Sequence, residues 1–465
     1  MISDDAGGVI LTWLDRREDT KVFVYANRIN QDGTKLWGND DLRVGASEGA
    51  EDCPKIVSDG QHGAIFAFED NNPPDSEFMG VYAYRVNAAG NILYRTFLFP
   101  PDGECHSFDI DSDGASGLVA VCDYGHITDQ EQQLRGMRLD SAGTKIWEDE
   151  TFDFGPLSIP IGKKIFGATD TGIGFPVVRY AAGVGFYFVH WDNPFGGNQE
   201  SHKGYLLDLD GTHLWDPNGI ILDQPSNVSP DIQSIVDQDG NLYFNYHTDA
   251  DWELQKVSPN GTLPWGIGGV AYSPDFQEAP DKIVLTSCND VIIPFDGTNS
   301  TINITRIAGD GSKVYSPDFL PLTGFTTGTQ HRDPTIGINQ KDQILVVWAE
   351  DPNVSDNSFD LKAHGLRKDG MLGNITSTEN LQGADFKIYP NPVSGSAFLH
   401  IETAETNFGD VLLSDISGRE ILFQSNLDFS NGLVNLQIPA TLEAGVYFLH
   451  LITKAAVRTE KILIH

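Results

Sequence analysis

The sequence predicts an all-β chain in two parts: seven repeats of about fifty residues, then a smaller β domain. Three observations carry this. A turn signal recurs in one register. Each repeat holds four short stretches of alternating apolar residues. The 48 glycines and 24 prolines are spread along all 465 residues, as many short strands and turns require.

The turn signal centres on Gly33, Gly90, Gly143, Gly211, Gly261, Gly311 and Gly370. Four residues before each stands an apolar residue: Ile29, Val86, Leu139, Leu207, Val257, Ile307 and Leu366. Four residues after the first six stands an aromatic: Trp37, Tyr94, Trp147, Trp215, Trp265 and Tyr315. Only the last copy departs, with Asn374. A basic residue precedes the apolar one in five copies: Arg28, Arg85, Arg138, Lys256 and Arg306.

The second repeat shows the strands. Pro54-Lys55-Ile56-Val57 precedes a turn at Asp59–Gly63, and Ala64–Phe68 forms the second strand. Val81–Val86 alternates as a third, and Ile92-Leu93-Tyr94 opens a fourth after the Gly90 turn. A four-stranded antiparallel sheet of this kind cannot cover both its faces alone. Stacked radially, each sheet covers its neighbour, so the expected fold is a seven-bladed β-propeller over 1–375. The recurring aromatics read as packing between blades. In the first repeat Ile2-Ser3-Asp4-Asp5 aligns with Val57-Ser58-Asp59-Gly60, so the first blade is expected to be incomplete and preceded by further residues.

Acidic residues outnumber basic ones 66 to 30, a formal charge of −36. Such a surface repels phosphate backbones and anionic lipids, so nucleic acid and membrane are poor partners. No apolar run approaches the roughly 18–20 residues of a bilayer span, and Met1–Gly8 lacks the features of a signal peptide. The four cysteines, Cys53, Cys105, Cys122 and Cys288, form no CxxC pair, which argues against structural zinc. A Cys53–Cys105 disulfide stays open, and Cys122 reads as a small buried side chain.

Chain direction puts the loop between second and third strands on the same face as the connections between blades. The second strand ends in an acid in nearly every repeat: Asp15, Asp70, Asp123, Asp192, Asp249, Asp296 and Glu350. The plain expectation is that each caps its own turn. The sharper one is an acidic ring that gathers a cation or a basic partner. One long loop on this face, with Asn193, Phe195 and Asn198 after Asp192, combines amides with an aromatic, a set that suits sugars. Asp109-Ile110-Asp111-Ser112-Asp113-Gly114 resembles the start of a calcium loop, but its twelfth position is Ala120 rather than Glu. The expectation is therefore no cofactor, with calcium at Asp109, Asp111 and Asp113 as the alternative. No HExxH, GxSxG or Walker loop is present. Catalysis by a carboxylate pair on the acidic rim stays as an alternative to simple binding.

After a polar linker, 376–384, the composition changes. Phe386–Val393, Phe398–Ile401, Val411–Leu422, Val434–Ile438, Gly445–Ile452 and Thr459–Ile464 alternate as strands of a small Ig-like β-sandwich over 385–465. Three motifs and the terminus stand out: Tyr389-Pro390-Asn391-Pro392, the hairpin Asp415-Ile416-Ser417-Gly418-Arg419, Gly445-Val446-Tyr447-Phe448-Leu449, and Lys461-Ile462-Leu463. In order and spacing they resemble the type A sorting domain of the type IX secretion system. The resemblance implies export across the outer membrane of a Bacteroidota-type bacterium. It implies a translocon and shuttle as partners, a sortase-like peptidase that removes the tail, and a product released or held at the surface. The expected function is thus a secreted, non-catalytic propeller that binds a polysaccharide or surface protein. A glycan-active hydrolase or lyase and a structural adhesin or surface-layer module are the alternatives.

Overall fold

A computed structural model describes residues 1–17, 22–45, 54–70, 79–100, 105–125, 131–147, 150–154, 157–194, 200–223, 232–248, 251–273, 282–297, 300–315, 318–323, 329–338, 342, 344–351, 360–366, 386–393, 398–403, 408–415, 420–430, 432–439, 442, 444–453 and 457–464. All regular structure among them is β. The chain divides into two compact units, Met1–Leu361 and Lys362–His465, a division that falls inside the strand Asp360–Leu366. The predicted linker lies outside the described residues, as do Gly370 and Asn374.

Among the described residues, seven antiparallel sheets follow one another from residue 2 to residue 366. They are called sheets 1 to 7 here, spanning 2–43, 55–99, 105–168, 171–221, 233–273, 284–321 and 330–366. Sheets 1, 2, 4, 5 and 6 have four strands in simple sequential order. Sheet 3 adds an outer hairpin, because Glu150–Phe154 pairs with the outer strand Leu157–Ala168. Sheet 7 shows three strands among the described residues. The first strand of sheet 1 is the short Ile2–Ser3, paired to Ile10 and Val9.

The middle strands explain why the sheets stack. Ala64–Asp70 and Gly80–Val86 are buried at every position, so both faces of sheet 2 are covered. Side chains on a strand alternate between faces, and the two sets enter different cores. Ala64, Phe66 and Phe68 pack with Ile10, Val24 and Ala26 of sheet 1. Ile65 and Ala67 pack with Leu118, Ala120 and Met137 of sheet 3. The pattern repeats down the chain. Val121 and Ile165 of sheet 3 meet Val178 and Phe188 of sheet 4. Val189 and Leu206 of sheet 4 meet Phe244 and Val257 of sheet 5, and Leu254 of sheet 5 meets Val291 and Ile293 of sheet 6. Each fully buried Phe or Leu contributes about 1.5–3 kcal/mol.

The repeated turn has a local and a tertiary cause. Gly33, Gly90, Gly143, Gly211, Gly261 and Gly311 all have φ between +79° and +89°, the left-handed region that closes a short hairpin loop. In all of these but Gly33 the glycine also receives the aromatic of the preceding sheet. A Cβ on Gly90 would stand 3.0 Å from Trp37 Cδ1, and one on Gly143 would stand 2.6 Å from Tyr94 Cγ. Trp37 donates its indole N–H to Ala88 O, Trp147 to Leu209 O and Trp215 to Pro259 O, each in the next sheet's turn. The preceding basic residue spans the same junction. Arg85 Nη2 meets Asp59 at 2.9 Å inside sheet 2, while its Nη1 donates to Ser141 O of sheet 3 at 2.6 Å. Arg28 and Arg138 do the same with Asp4 and Ala88 O, and with Asp113 and Leu209 O. Lys256 donates to Gly309 O.

In the second unit two sheets share one core. Phe386–Tyr389, Phe398–Thr403 and Leu433–Gln437 form one sheet, with Phe386–Tyr389 at its edge. Glu420–Asp428, Phe408–Asp415, Gly445–Thr453 and Val457–Ile464 form the other. Leu399, Ile401 and Leu436 of the first meet Val411, Leu413, Leu449 and Ile462 of the second. The Tyr389-Pro390 and Asn391-Pro392 peptide bonds are both cis.

Candidate functional site

Five of the acids that end the second strands, Asp15, Asp70, Asp123, Asp192 and Glu350, are bonded within their own sheet. Asp15 accepts from Trp13 Nε1, from Arg17 N and from the Arg17 guanidinium, which holds its carboxyl near a pKa of about 2. Asp70 is fully buried and accepts from Tyr84 Oη and Arg95 Nη2. Asp192 is held by Thr171 Oγ1 and Lys203 Nζ, both at 3.1 Å. Glu350 lies 3.0 Å from His331 Nε2. Asp296 stands in the strand Val291–Gly297, opposite Ile302. Asp249, Phe195 and Asn198 lie outside the described residues. Turn capping thus fits Asp15, while Asp70, Asp192 and Glu350 are tied by side chains from neighbouring strands.

Asp109, Asp111 and Asp113 also face separate protein partners. Asp109 and Asp111 alternate onto one side of the strand Cys105–Ser112 and reach the first strand of sheet 4. Asp109 accepts from Val178 N and Arg179 Nη1, and Asp111 accepts from Tyr180 N at 2.8 Å. Asp113 caps its own turn through Ala115 N and Gly117 N, and pairs with Arg138. Among the described residues, no group of three or more His, Cys, Asp and Glu side chains is placed to hold a metal ion. Cys122 is buried and Cys288 is an exposed free thiol, and Cys53 lies outside the described residues.

The first strand of sheet 4 carries an exposed aromatic at a bulge. This strand, Thr171–Ala181, pairs regularly with Gly185–Pro194 except for a register shift between Gly174 and Val177. Phe175 stands in that bulge at φ +50°, rare for a bulky residue. Its side chain is 47% exposed in a strand whose neighbours are mostly buried. The Phe175 ring meets Trp191 edge to face, with centroids 6.5 Å apart. Trp191 Nε1 donates to Glu200 Oε2 at 3.3 Å. Backbone placement comes from sheet 3: Phe175 N donates to Ser107 Oγ, and Ser107 donates in turn to Asp123 Oδ2, both at 3.1 Å. Asp123 therefore helps to position Phe175. Sheet 7 carries the same device: Asp333, at φ +54° before Pro334, is exposed in a register shift between Arg332 and Thr335.

Behind the pair lies a buried polar layer. His190, Phe166 and Tyr205 form a three-ring cluster, His190 lying 5.9 Å from Phe166 and 5.7 Å from Tyr205, and the last two 5.5 Å apart. Burial pushes the His190 pKa down to about 4, against the opposing pull of the Trp191 carbonyl and Asp192. His202 Nδ1 lies 2.6 Å from Asp223 Oδ2, with both residues fully buried. Asn193 is half-buried, two residues beyond Trp191. The arrangement presents an aromatic pair with Glu200 bonded to the indole N–H, while Asp192 and Lys203 alternate onto the other face of the sheet. That set can hold a ligand with an apolar face and polar edges. Phe175 escaped the sequence reading. Its one sequence signal is an aromatic directly before Pro176 at the start of a first strand.

The tail motifs are placed as follows. Tyr389, Pro390, Asn391 and Pro392 are exposed. Asn391 grips the terminal strand, and Asp415 pairs with Tyr447 across the second sheet. Gly445 opens the strand Gly445–Thr453, and Lys461 is exposed near the end of Val457–Ile464. Gly418 and Arg419 lie outside the described residues.

Comparison with known proteins bears on the two units differently. Residues 387–465 match the family model of the secretion system C-terminal sorting domain. This is the type IX signal, so the chain is addressed to the cell surface or extracellular space and meets the type IX machinery. No helix among the described residues is long and apolar enough to cross a membrane. Among solved structures, the chain is similar to prolyl oligopeptidase B from Galerina marginata, at 12% identity and a TM-score of 0.40, over 75% of this chain and 45% of that one. It is similar to GH43 endo-arabinanase from Bacillus licheniformis, at 14% identity and a TM-score of 0.27, over 59% and 99%. A quinonprotein alcohol dehydrogenase-like protein from Bacteroides thetaiotaomicron matches at 14% identity and a TM-score of 0.39, over 79% and 74%. The chain spans 45% and 55% of the lengths of two of the prolyl oligopeptidase-type proteins it matches. No curated protein matches it significantly.

Proposed function

We propose that the exported part of the chain is a seven-bladed β-propeller over 1–375 that binds a glycan without cleaving it. The ligand sits at the long-loop end of the fourth blade. The propeller reading is supported by the five cores that successive sheets share, each using alternate residues of the same strands. The domain order is propeller, linker 376–384, and an Ig-like sorting domain 385–465. Translocon and shuttle read that domain, and a sortase-like peptidase then removes it.

The observation that carries the binding reading is the exposed Phe175, held at positive φ beside Trp191. A strained, exposed aromatic persists only where its surroundings hold it, and such positions cluster at ligand sites. The electron-rich ring face attracts the C–H side of a sugar, while Glu200 and the polar groups beside it accept its hydroxyls.

The test is a glycan array on the purified full chain, followed by calorimetry on the best hit. Phe175→Ala and Trp191→Ala should each weaken binding tenfold or more, about 1.4 kcal/mol. Glu350→Gln, in sheet 7, should leave affinity unchanged. Binding that ignores Phe175 sinks the site. Release of shorter glycans from the bound hit would move the assignment to a hydrolase or lyase.

A further inference from the structure

We infer that the glycan held at Trp191 carries a free amine, and that the carboxylates at the seam between sheets 4 and 5 receive its ammonium. This rests on the glycan reading above and names the ligand class of that site. Trp191 lies directly opposite His202 in sheet 4, so the two side chains share one face. That face meets sheet 5. The His202 ring lies 5.8 Å from Phe244 and 5.5 Å from Tyr246, both on the strand Leu242–His247. Gln255 Nε2 of sheet 5 donates to Leu222 O of sheet 4 at 3.1 Å across the same seam.

Acids gather there. Asp223 accepts from His202 N at 2.9 Å and lies 2.6 Å from His202 Nδ1. Glu253 stands opposite Tyr246 and accepts from its hydroxyl at 2.6 Å. Burial pushes the Glu253 carboxyl above its ordinary range, and the charges of Asp251 and Asp223 add to this against the Tyr246 hydrogen bond. Glu200 takes the indole N–H of Trp191. Elsewhere at the long-loop end acids find cations: Asp15 has Arg17, Asp70 has Arg95 and Asp192 has Lys203. Among the described residues, no lysine or arginine is bonded to Asp223, Asp251, Glu253 or Glu200.

His202 gives an independent sign of a ligand. Its side chain is fully buried, yet its Nε2 has no hydrogen-bond partner among the described residues. Buried polar atoms are normally satisfied. With the Nδ1 proton given to Asp223, Nε2 of the neutral ring is an acceptor. Asp223 holds one edge of the ring, so the free edge lies within the seam against sheet 5. Glu253 and Asp251 are only half-buried, and there the seam meets solvent. A ligand that suits it brings donors and a positive charge. A hydroxyl or an acetamido group brings a donor but leaves the carboxylates uncompensated. A primary ammonium brings several donors and the missing charge. The formal charge of −36 draws such a cation in. An amino sugar supplies both parts: a ring face for Phe175 and Trp191, and an ammonium for the acids.

The experiment is calorimetry on the full chain with three oligosaccharides of equal length, at a pH where the amine is charged. They are a β-linked glucosamine oligomer, its N-acetylated form and the matching glucose oligomer. The glucosamine oligomer should bind at least tenfold more tightly than the other two, and added salt should shrink that gap. Glu253→Gln keeps an acceptor for Tyr246 but removes the charge, and should cut the gap at least threefold with an unchanged melting profile. Asp251→Asn should act in the same direction. Glu131→Gln removes an equal charge in sheet 3, from an acid that already has Lys164, and should leave the gap intact. Equal or weaker binding of the glucosamine oligomer overturns the inference, and so does a gap that Glu253→Gln and Asp251→Asn leave unchanged. A gap that Glu131→Gln reduces equally reports only attraction to an acidic chain, and also overturns it. In each case, binding of the acetylated or glucose oligomer that Phe175→Ala weakens leaves the glycan reading standing. Binding of all three that ignores Phe175 sinks both.

Discussion

The two ends of the repeated sheets differ in kind. At the tight-turn end, one device recurs from sheet to sheet: a left-handed glycine, an aromatic laid on the next sheet's glycine, and a basic residue joining an aspartate of its own sheet to a carbonyl of the next. At the long-loop end, each sheet solves its chemistry differently. Arg17 holds Asp15, Ser107 holds Asp123, Lys203 holds Asp192, and His331 holds Glu350. Uniformity marks what every junction needs in order to stack. Variation marks the end released from that demand, where a residue such as Phe175 can be displayed.

This contrast predicts a ranking of effects. The largest belongs to the tight-turn end. Arg85→Ala leaves the buried Asp59 without its cation and should cost about 3–5 kcal/mol in denaturant unfolding. If the staple is structural, replacing both partners with apolar residues should cost less than removing the arginine alone.

Next comes a pH effect from the layer behind Phe175. His190 stays neutral in the folded chain down to about pH 4, whereas an unfolded histidine takes up its proton near 6.5. The unfolded state therefore binds more protons in that window, so stability falls as pH drops from about 6.5 to 4. The loss is roughly 3 kcal/mol. His190→Phe should flatten this part of the stability profile, and an unchanged slope would remove His190 as its source.

Smaller still, Trp147→Phe keeps the ring on Gly211 but deletes the bond to Leu209 O, and should cost about 1 kcal/mol in thermal unfolding. Phe175→Ala should be the least destabilising, within about 0.5 kcal/mol, because its side chain is half exposed and its backbone strained. A large loss there would place Phe175 with the structural residues and dissolve the contrast.

Some of this was legible beforehand and some was not. The turn glycines, their aromatics and the four strands of sheets 1, 2, 4, 5 and 6 were readable because local geometry requires them at fixed spacing. The basic residue before each turn was visible as a pattern, but its double role was not, since its second partner lies in another sheet. The acids at the strand ends looked alike in sequence and are not alike in the fold. Asp15 caps its turn, Asp70 sits among Tyr84 and Arg95, and Asp123 works through Ser107 on Phe175. The three aspartates of 109–113 looked convergent, yet alternation and the following turn send them to different donors.

The sequence by itself determined the all-β class, the repeated four-stranded unit and the export signal at the tail. Each rests on short-range rules: period-two alternation, glycine at left-handed turns, and motifs read in order. Tertiary structure decided which residues meet. It laid Trp37 on Gly90, tied Arg85 to Ser141, and set the Asn391 amide on the terminal strand. It also turned Phe175 out of a buried strand through one bulge. Those pairings span tens of residues, and no local periodicity encodes them, because they depend on how whole sheets stack.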